Sequence, residues 1–522
     1  MPPHDPAQPL HARRNFAFRA ARLCLPLAAL GGVCGCTVGP DFTPPPPPQN
    51  ASYTGAGLPV KTVQADTPGG RAQVFERIEQ VRSNWYELFH SQALNRLIAR
   101  ALADNPTVEA GQQRLQAARA NLQAVRGGLY PQVNAGAGIS RQRVTGTQFG
   151  IDNPEFTNQF ALYRGQISLG YDLDLFGGLR RRIENQTAQL HFLQYQLLET
   201  YLALIDNVVA TSLAQAGLNA AIAALGKIVD AQQGTVALLR KKWKFGAADR
   251  SQLLQAQAQL AATRARLPPL LKQRTIARNQ LAILAGQSPG AFEDPGFRLS
   301  GFTLPQRLPV TLPSTLVRQR PDILAARSLL HAASANIGLA TAQLFPDFTV
   351  SASYGRAALD PSGLTDAAAA LWTFGATLMA PLFHGGALRA HRQAAVALYQ
   401  AAAAEYQRTV LNALGEVANS LAAIQADARG FRARLQAQRA AGDSLELARQ
   451  RYQMGASGYL ALYTAQAQYQ RAVIAFAQAR LQRFEDTAAL FRALGGGWWR
   501  PSQIDPAAHG ASTNKVGTHA RR

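Results

Sequence analysis

Four short segments of the chain alternate strictly between apolar and polar positions. Across residues 166–175, Ile167, Leu169, Tyr171, Leu173 and Leu175 are apolar, and the positions between them are polar or glycine. Val133, Ala135, Ala137 and Ile139 alternate with Asn134, Gly136, Gly138 and Ser140. Phe348, Val350, Ala352 and Tyr354 alternate with Thr349, Ser351, Ser353 and Gly355, and Phe374, Ala376, Leu378 and Ala380 with Thr373, Gly375 and Thr377. A period of two predicts strands with one face in an apolar medium. A half-buried soluble sheet usually carries Lys and Glu on its wet face. Here that face is small and polar, as in the lumen of a membrane barrel. A sheet edge cannot sit in hydrocarbon, because each unpaired backbone group costs several kcal/mol. Single-chain barrels use about eight strands or more. Four strands that cross a membrane must therefore close with strands from other copies.

The stretches between these segments read as helices rich in Ala, Leu and Gln. Leu190, Leu197 and Leu204 recur every seven residues, with Leu218 and Leu225 in phase, and Leu253, Leu260 and Leu267 do the same further on. Sevenfold spacing predicts nearly parallel, coiled-coil-like packing, although a plain helical bundle would show much the same pattern. A helix from about Leu179 to Leu225 would be ~70 Å long at ~1.5 Å per residue. Pro268 and Pro269 must break or kink the helix that returns.

The pattern also repeats. Asn105-Pro106 matches Arg320-Pro321 at an offset of 215, and Ala120-Asn121 matches Ala335-Asn336 at the same offset. Gly177-Gly178 pairs with Gly385-Gly386 at offset 208, and Gly246-Ala247 with Gly455-Ala456 at offset 209. Three runs in one order indicate a duplicated unit of helix, two strands and two long helices, with a period too long for a solenoid.

The first residues read as an export signal. Arg13, Arg14, Arg19 and Arg22 precede a short apolar run at 23–30, too short to span a membrane. Val33-Cys34-Gly35-Cys36 resembles a lipobox, which makes Cys36 the lipidated first residue of the mature chain and its only cysteine. A plain signal peptide cut elsewhere, or a twin-arginine signal at Arg13-Arg14, are the other readings. The prolines at 44–48 form a stiff spacer. With cysteines only at 24, 34 and 36, a cysteine-built metal site or disulfide framework in the body is excluded.

Charge and candidate chemistry change little. The formal charge of +22 suggests nucleic acid, but the arginines are scattered, and the one compact run, Arg180, Arg181 and Arg182, has no aromatic ladder, so no nucleic-acid partner is expected. No His-Glu-x-x-His, Gly-x-Ser-x-Gly or phosphate-loop motif occurs, so neither an enzyme nor a metal or other cofactor beyond the Cys36 lipid is expected. Asp172 and Asp174 fall on the polar strand face; a paired-carboxylate site is conceivable there, but the expectation is that they line a wet lumen.

At this point the chain resembles the outer-membrane efflux protein family, in its lipoprotein branch. The stretches that carry the resemblance run in order: Gly35-Cys-Thr-Val-Gly-Pro-Asp-Phe42, Asn84-Trp-Tyr-Glu-Leu-Phe89, Tyr171-Asp-Leu-Asp-Leu-Phe-Gly177, Leu312-Pro-Ser314, Arg320-Pro-Asp322, Ala335-Asn-Ile-Gly338, Pro381-Leu-Phe-His-Gly-Gly386 and Ala493-Leu-Gly-Gly-Gly-Trp498. The resemblance implies a mainly α-helical fold with membrane β-strands, closing as a homotrimer into a 12-strand β-barrel on a 12-helix α-barrel. It implies an outer-membrane channel of a tripartite pump, exporting drugs or other small toxic compounds, with a periplasmic adaptor and an inner-membrane transporter as partners. The alternative weighed against it is a periplasmic adaptor or coiled-coil scaffold lipoprotein. The expected organisation is a signal peptide at 1–35, a lipidated, proline-rich linker at 36–80, repeats at 81–300 and 301–498, and a disordered tail at 499–522. The β-hairpins are expected at 131–176 and 346–383, and the long helical hairpins at 179–285 and 387–494. By resemblance, Gly217, Leu218, Asn219 and Ala220 form an adaptor-docking tip in a turn between long helices, the equivalent turn lies at 426–430, and Asp427 belongs to an acidic ring that gates the pore.

Overall fold

The computed structural model describes residues 37–49, 52–55, 57–78, 81–145 and 157–497. In chain order the first half contains β1 (Val74–Arg77), α1 (Gln92–Asp104), α2 (Pro106–Gly127), β2 (Gln132–Thr145) and β3 (Thr157–Leu173). It continues with α3 (Gly178–Lys244), α4 (Arg250–Arg264) and α5 (Leu267–Leu284). The second half contains β4 (Arg307–Val310), α6 (Pro313–Gln319), α7 (Pro321–Ala342), β5 (Asp347–Ala358) and β6 (Ala370–Met379), then α8 (Ala387–Gln453) and α9 (Tyr459–Ala493). The chain is mostly helical with some sheet.

The chain packs as two compact units that cut across the repeat. Among the described residues, one comprises those within Met1–Thr43, Arg119–Gln189 and Leu330–Ala402, and the other those within Pro44–Ala118, Leu190–Leu329 and Ala403–Arg522. Each takes segments from both halves because the halves share hydrogen bonds. In the first unit β2, β3, β5 and β6 form one antiparallel sheet in that order, with β3 of the first half paired to β5 of the second. In the second unit β1 and β4 pair in parallel, again joining the halves.

Proline opens both matched helices of the repeat. Pro106 and Pro321 begin α2 and α7, where a missing N–H costs nothing and the fixed φ suits the first turn. The residues before them do different work in the second unit. Asn105 caps α2 by accepting from the Thr107 N–H at 2.9 Å and donates to the Leu284 carbonyl at 2.9 Å. Arg320 is buried, donates to the Ala493 carbonyl at 2.8 Å, and pairs with Asp322 at 2.9 Å and with Glu416. The Asn84–Phe89 stretch packs nearby residues of the same unit. Trp85 is buried and stacks on Phe491 with ring centroids 5.3 Å apart.

The long helices α3 and α8 each run for 67 residues without interruption. Leu197, Leu204 and Leu225 of α3 and Leu253 and Leu260 of α4 are buried, as sevenfold spacing requires. Toward the far end, Val236 and Leu239 of α3 form one cluster with Leu253, Ala256 and Leu260 of α4, and with Tyr452, Tyr459 and Leu462 from the second half. The return helix of the first half breaks between Arg264 and Leu267, with Pro268 and Pro269 in the first turn of α5, whereas α9 is continuous.

Candidate functional site

Three features of the molecule bear on function, the first being the sheet. Strand registers bring the alternating residues onto common faces. Ile167 lies opposite Ala135 on one side and Tyr354 on the other, and Tyr354 lies opposite Trp372. Leu169 lies between Val133 and Ala352, and Ala352 lies beside Phe374. Val133, Ile139, Ile167, Tyr354, Trp372, Phe374 and Leu378 are all exposed and all on this face, Trp372 at 73%. The opposite face carries Asn134, Ser168, Ser353 and Thr373 in one row and Asp172, Thr349 and Thr377 in another. Its hydroxyls bond sideways: Ser353 and Thr373 lie 2.8 Å apart, and Thr349 donates to Asp172 at 2.8 Å. Large apolar side chains on one open face, backed by small polar ones, fit a sheet with lipid on one side and water on the other. Among the described residues β2 and β6 are its unpaired edges.

The second feature is a strap at the start of the described chain. Thr37 to Phe42 lies on the helices of the first unit, and three of the motif stretches meet there. The Val38 N–H donates to the Phe176 carbonyl at 3.1 Å. Gly39, at φ +92°, lies so close to Gly338 that a Cβ on it would collide with the Gly338 backbone. A Cβ on Gly177 would likewise meet Thr37. Arg181, its side chain 3% exposed, donates to the carbonyls of Val38 and Gly39 at 3.1 Å each, and pairs with Asp41 at 2.9 Å and Glu184 at 2.7 Å. Phe42 stacks on His331 with centroids 4.4 Å apart, and His331 meets Glu184 at 2.8 Å. Part of the basic run that might have suggested nucleic acid is thus a clamp on the chain's own strap.

The third feature is the pair of turns that join the long helices. At 245–249 the Ala247 N–H reaches the Lys242 carbonyl at 2.7 Å and the Gly246 N–H reaches that of Trp243 at 3.0 Å, with Gly246 at φ +69°. At 454–458 Ala456 and Gly455 repeat this on Arg451 and Tyr452, with Gly455 at φ +74°. Both are Schellman ends, which need a residue tolerant of left-handed backbone. Both present apolar side chains to solvent: Phe245 at 87% exposure and Met454 at 74%, with exposed Leu460 just after the second turn.

These turns correct the sequence expectation. Residues 216–220 and 426–430 lie inside α3 and α8, so neither is a turn. Gly217 is a packing residue, since a Cβ there would run into the Leu481 side chain. Ala216 is buried, Leu218 and Ala220 are half-buried, and Asn219 donates to the Phe297 carbonyl at 2.8 Å. Asp427 is half-buried in mid-helix. Its carboxyl is pushed up to about 7 by burial and then by the Asp486 carboxyl beside it, with Arg483 and Arg434 opposing. Asp174 also departs from expectation. It lies past the end of β3 and accepts from the N–H groups of Leu179 and Arg180 at 2.9 Å each, which caps α3 rather than lining the strand face. Asp172 does lie on the polar face. Cys36, the signal segment and the tail at 499–522 lie outside the described residues. Among those described, no cluster of His, Cys, Asp or Glu is arranged to hold a metal.

The profile of the outer membrane efflux protein family matches residues 97–287 and 312–496. The chain belongs to the outer membrane efflux protein family. The toluene efflux pump outer membrane protein TtgF of Pseudomonas putida is 30% identical over 496 residues, covering 91% of this chain and 96% of TtgF. The outer membrane protein OprJ of Pseudomonas aeruginosa is 29% identical over 485 residues, covering 93% of this chain and 97% of OprJ. Among solved structures, the outer-membrane channel OprN is similar with a TM-score of 0.80 at 28% identity, covering 89% of this chain and all of that one. This efflux protein is thus the outer-membrane channel component of an efflux pump. The family is one of transport conduits rather than enzymes.

Proposed function

We propose that this efflux protein works as a homotrimer, its sheets joined edge to edge into a 12-stranded barrel and its helices into a 12-helix tube. In this reading Cys36 carries the lipid that tethers each chain to the outer membrane, the strap that follows it lays the chain onto its helices, and the proline-rich segment leads on from the strap. The two Schellman turns, with Phe245 and Met454 outermost, dock a periplasmic adaptor, and an inner-membrane transporter supplies the energy. Small toxic compounds pass through passively, and Asp172 lines the lumen. A ring of Asp427 gating the pore has less support, because its carboxyl is half-buried in mid-helix and raised by burial and by Asp486 of the same chain.

The observation that carries the trimer is the four-stranded sheet with one lipid-compatible face and two open edges. Backbone groups at those edges need partners in hydrocarbon, and another copy's edge is the complementary one. The test pairs cysteines on β2 (Asn134→Cys) and β6 (Thr377→Cys, with neighbouring positions scanned) in detergent-extracted protein. A ladder ending at three chains, together with heat-modified gel migration, is expected. A species that runs as a monomer before and after heating, without cross-links at any β6 position, refutes the reading.

A further inference from the structure

Within the second unit, the loop after α5 lines a cavity of about 910 Å³ whose other walls come from α3, α5 and α9. The walls are pinned from several elements. Gln215, fully buried on α3, donates to both oxygens of Asp294 at 2.9 and 3.0 Å, and Asn219 holds the Phe297 carbonyl. Arg278 of α5 donates to the Phe292 carbonyl at 2.9 Å, and Arg480 of α9 to that of Leu299 at 3.3 Å. The Gly296 N–H closes a turn on Asp294 at 3.0 Å.

The charge around this cavity is one-sided. Lys227, Arg274, Arg278, Arg298 and Arg480 line it, and Asp294 is the one carboxylate among its lining residues. Among the described residues none of the five cations forms an ion pair, with Lys227 and Arg298 exposed and Arg274, Arg278 and Arg480 half-buried, whereas Arg181 and Arg320 each have two carboxylate partners. The Nε of Arg480 is buried with no acceptor. Burial without a compensating carboxylate pushes that guanidinium down. Like charges that converge on a concave, rigid site raise the local concentration of counter-ions.

We propose that this cavity binds a small, multiply charged phosphate anion. Four of the five cations are arginines, whose planar forks take phosphate oxygens two at a time. Five cations against one carboxylate leave about four positive charges to be met, which suits an oligophosphate better than a single monovalent ion. The cavity lies within the range of ~300–1,000 Å³ usual for small-ligand sites.

The experiment is calorimetric titration of the full-length, detergent-extracted protein with inorganic tripolyphosphate at fixed ionic strength. Saturable binding at one site per chain is expected. Arg274→Gln with Arg298→Gln should weaken it at least tenfold, about 1.4 kcal/mol, and leave the melting temperature without ligand unchanged, since neither side chain holds the loop. Arg240→Gln with Arg429→Gln, two exposed arginines outside the cavity, should leave the affinity unchanged. Phosphatidic acid in mixed micelles, titrated in parallel, separates a lipid headgroup from a free phosphate. The proposal is overturned if tripolyphosphate gives no saturable signal, if both arginine pairs weaken binding equally, or if only the lipid binds.

Discussion

Replacing Arg181 with Met keeps the aliphatic stem and removes every hydrogen bond that Arg181 makes. Four partners are lost: the carbonyls of Val38 and Gly39, Asp41 and Glu184. Asp41 is 93% exposed, so its ion pair is screened and worth well under ~1 kcal/mol. Glu184 keeps His331. The two carbonyls carry most of the effect, because hydrogen bonds from a charged donor contribute about 1.5–3 kcal/mol each. Taking the low end for both gives about 3 kcal/mol, or roughly a hundredfold shift toward the undocked strap. The reporter is the Val38 amide, whose proton is tied to the Phe176 carbonyl. Hydrogen–deuterium exchange at that amide should quicken about a hundredfold, while amides of α3 beyond residue 190 keep their protection. Unchanged exchange at Val38 would refute the clamp. Arg181→Lys, which lacks the fork, should fall between the two.

Other expectations follow from the same contacts. Gly217→Val should lower the melting temperature, by about 1–3 kcal/mol of overpacking against Leu481, so calorimetry of the extracted protein checks it. Phe374→Lys should block insertion, at a cost of ~2–4 kcal/mol near the bilayer midplane, whereas Thr377→Lys on the polar face should insert normally; membrane fractionation separates them. Phe245→Ser with Met454→Ser should leave folding intact but reduce adaptor cross-linking and drug resistance. Because the Asp427 carboxyl is raised to about 7, folding takes up a proton there between the ordinary carboxylate range and neutrality. The stability from this group is full below about pH 4 and is lost as pH rises through 7. Asp427→Asn should therefore raise the melting temperature at pH 8 but not at pH 4.

The strands were legible because a period of two cannot be confused with any helix of this chain, and the registers place Ile167, Tyr354 and Trp372 in one row. The duplication was legible for the same reason, as matched Pro106 and Pro321 begin equivalent helices. The turns were misplaced although their signal was present. Gly246-Ala247 and Gly455-Ala456 recur in register, and a glycine just past a long helix is the mark of its end. Gly217 resembles a turn residue in sequence, but a glycine in mid-helix can serve close packing as readily as a bend. Asp174 shows the limit of alternation: the period says nothing of where a strand stops, and one residue past Leu173 the carboxylate belongs to the next helix. The strap was illegible because Arg181 meets Val38 across more than a hundred residues, and no local pattern encodes that.

The open edges of the sheet carry a cost during biogenesis. On the trimeric reading, a freshly exported chain displays β2 and β6 as bare templates that fit any sibling, so a two-chain intermediate is still unfinished and only ring closure ends the exposure. On the trimeric reading, a chain disabled at a single edge strand would enter mixed rings and leave a gap in each. Co-expressed with the intact chain, such a subunit should act as a dominant poison.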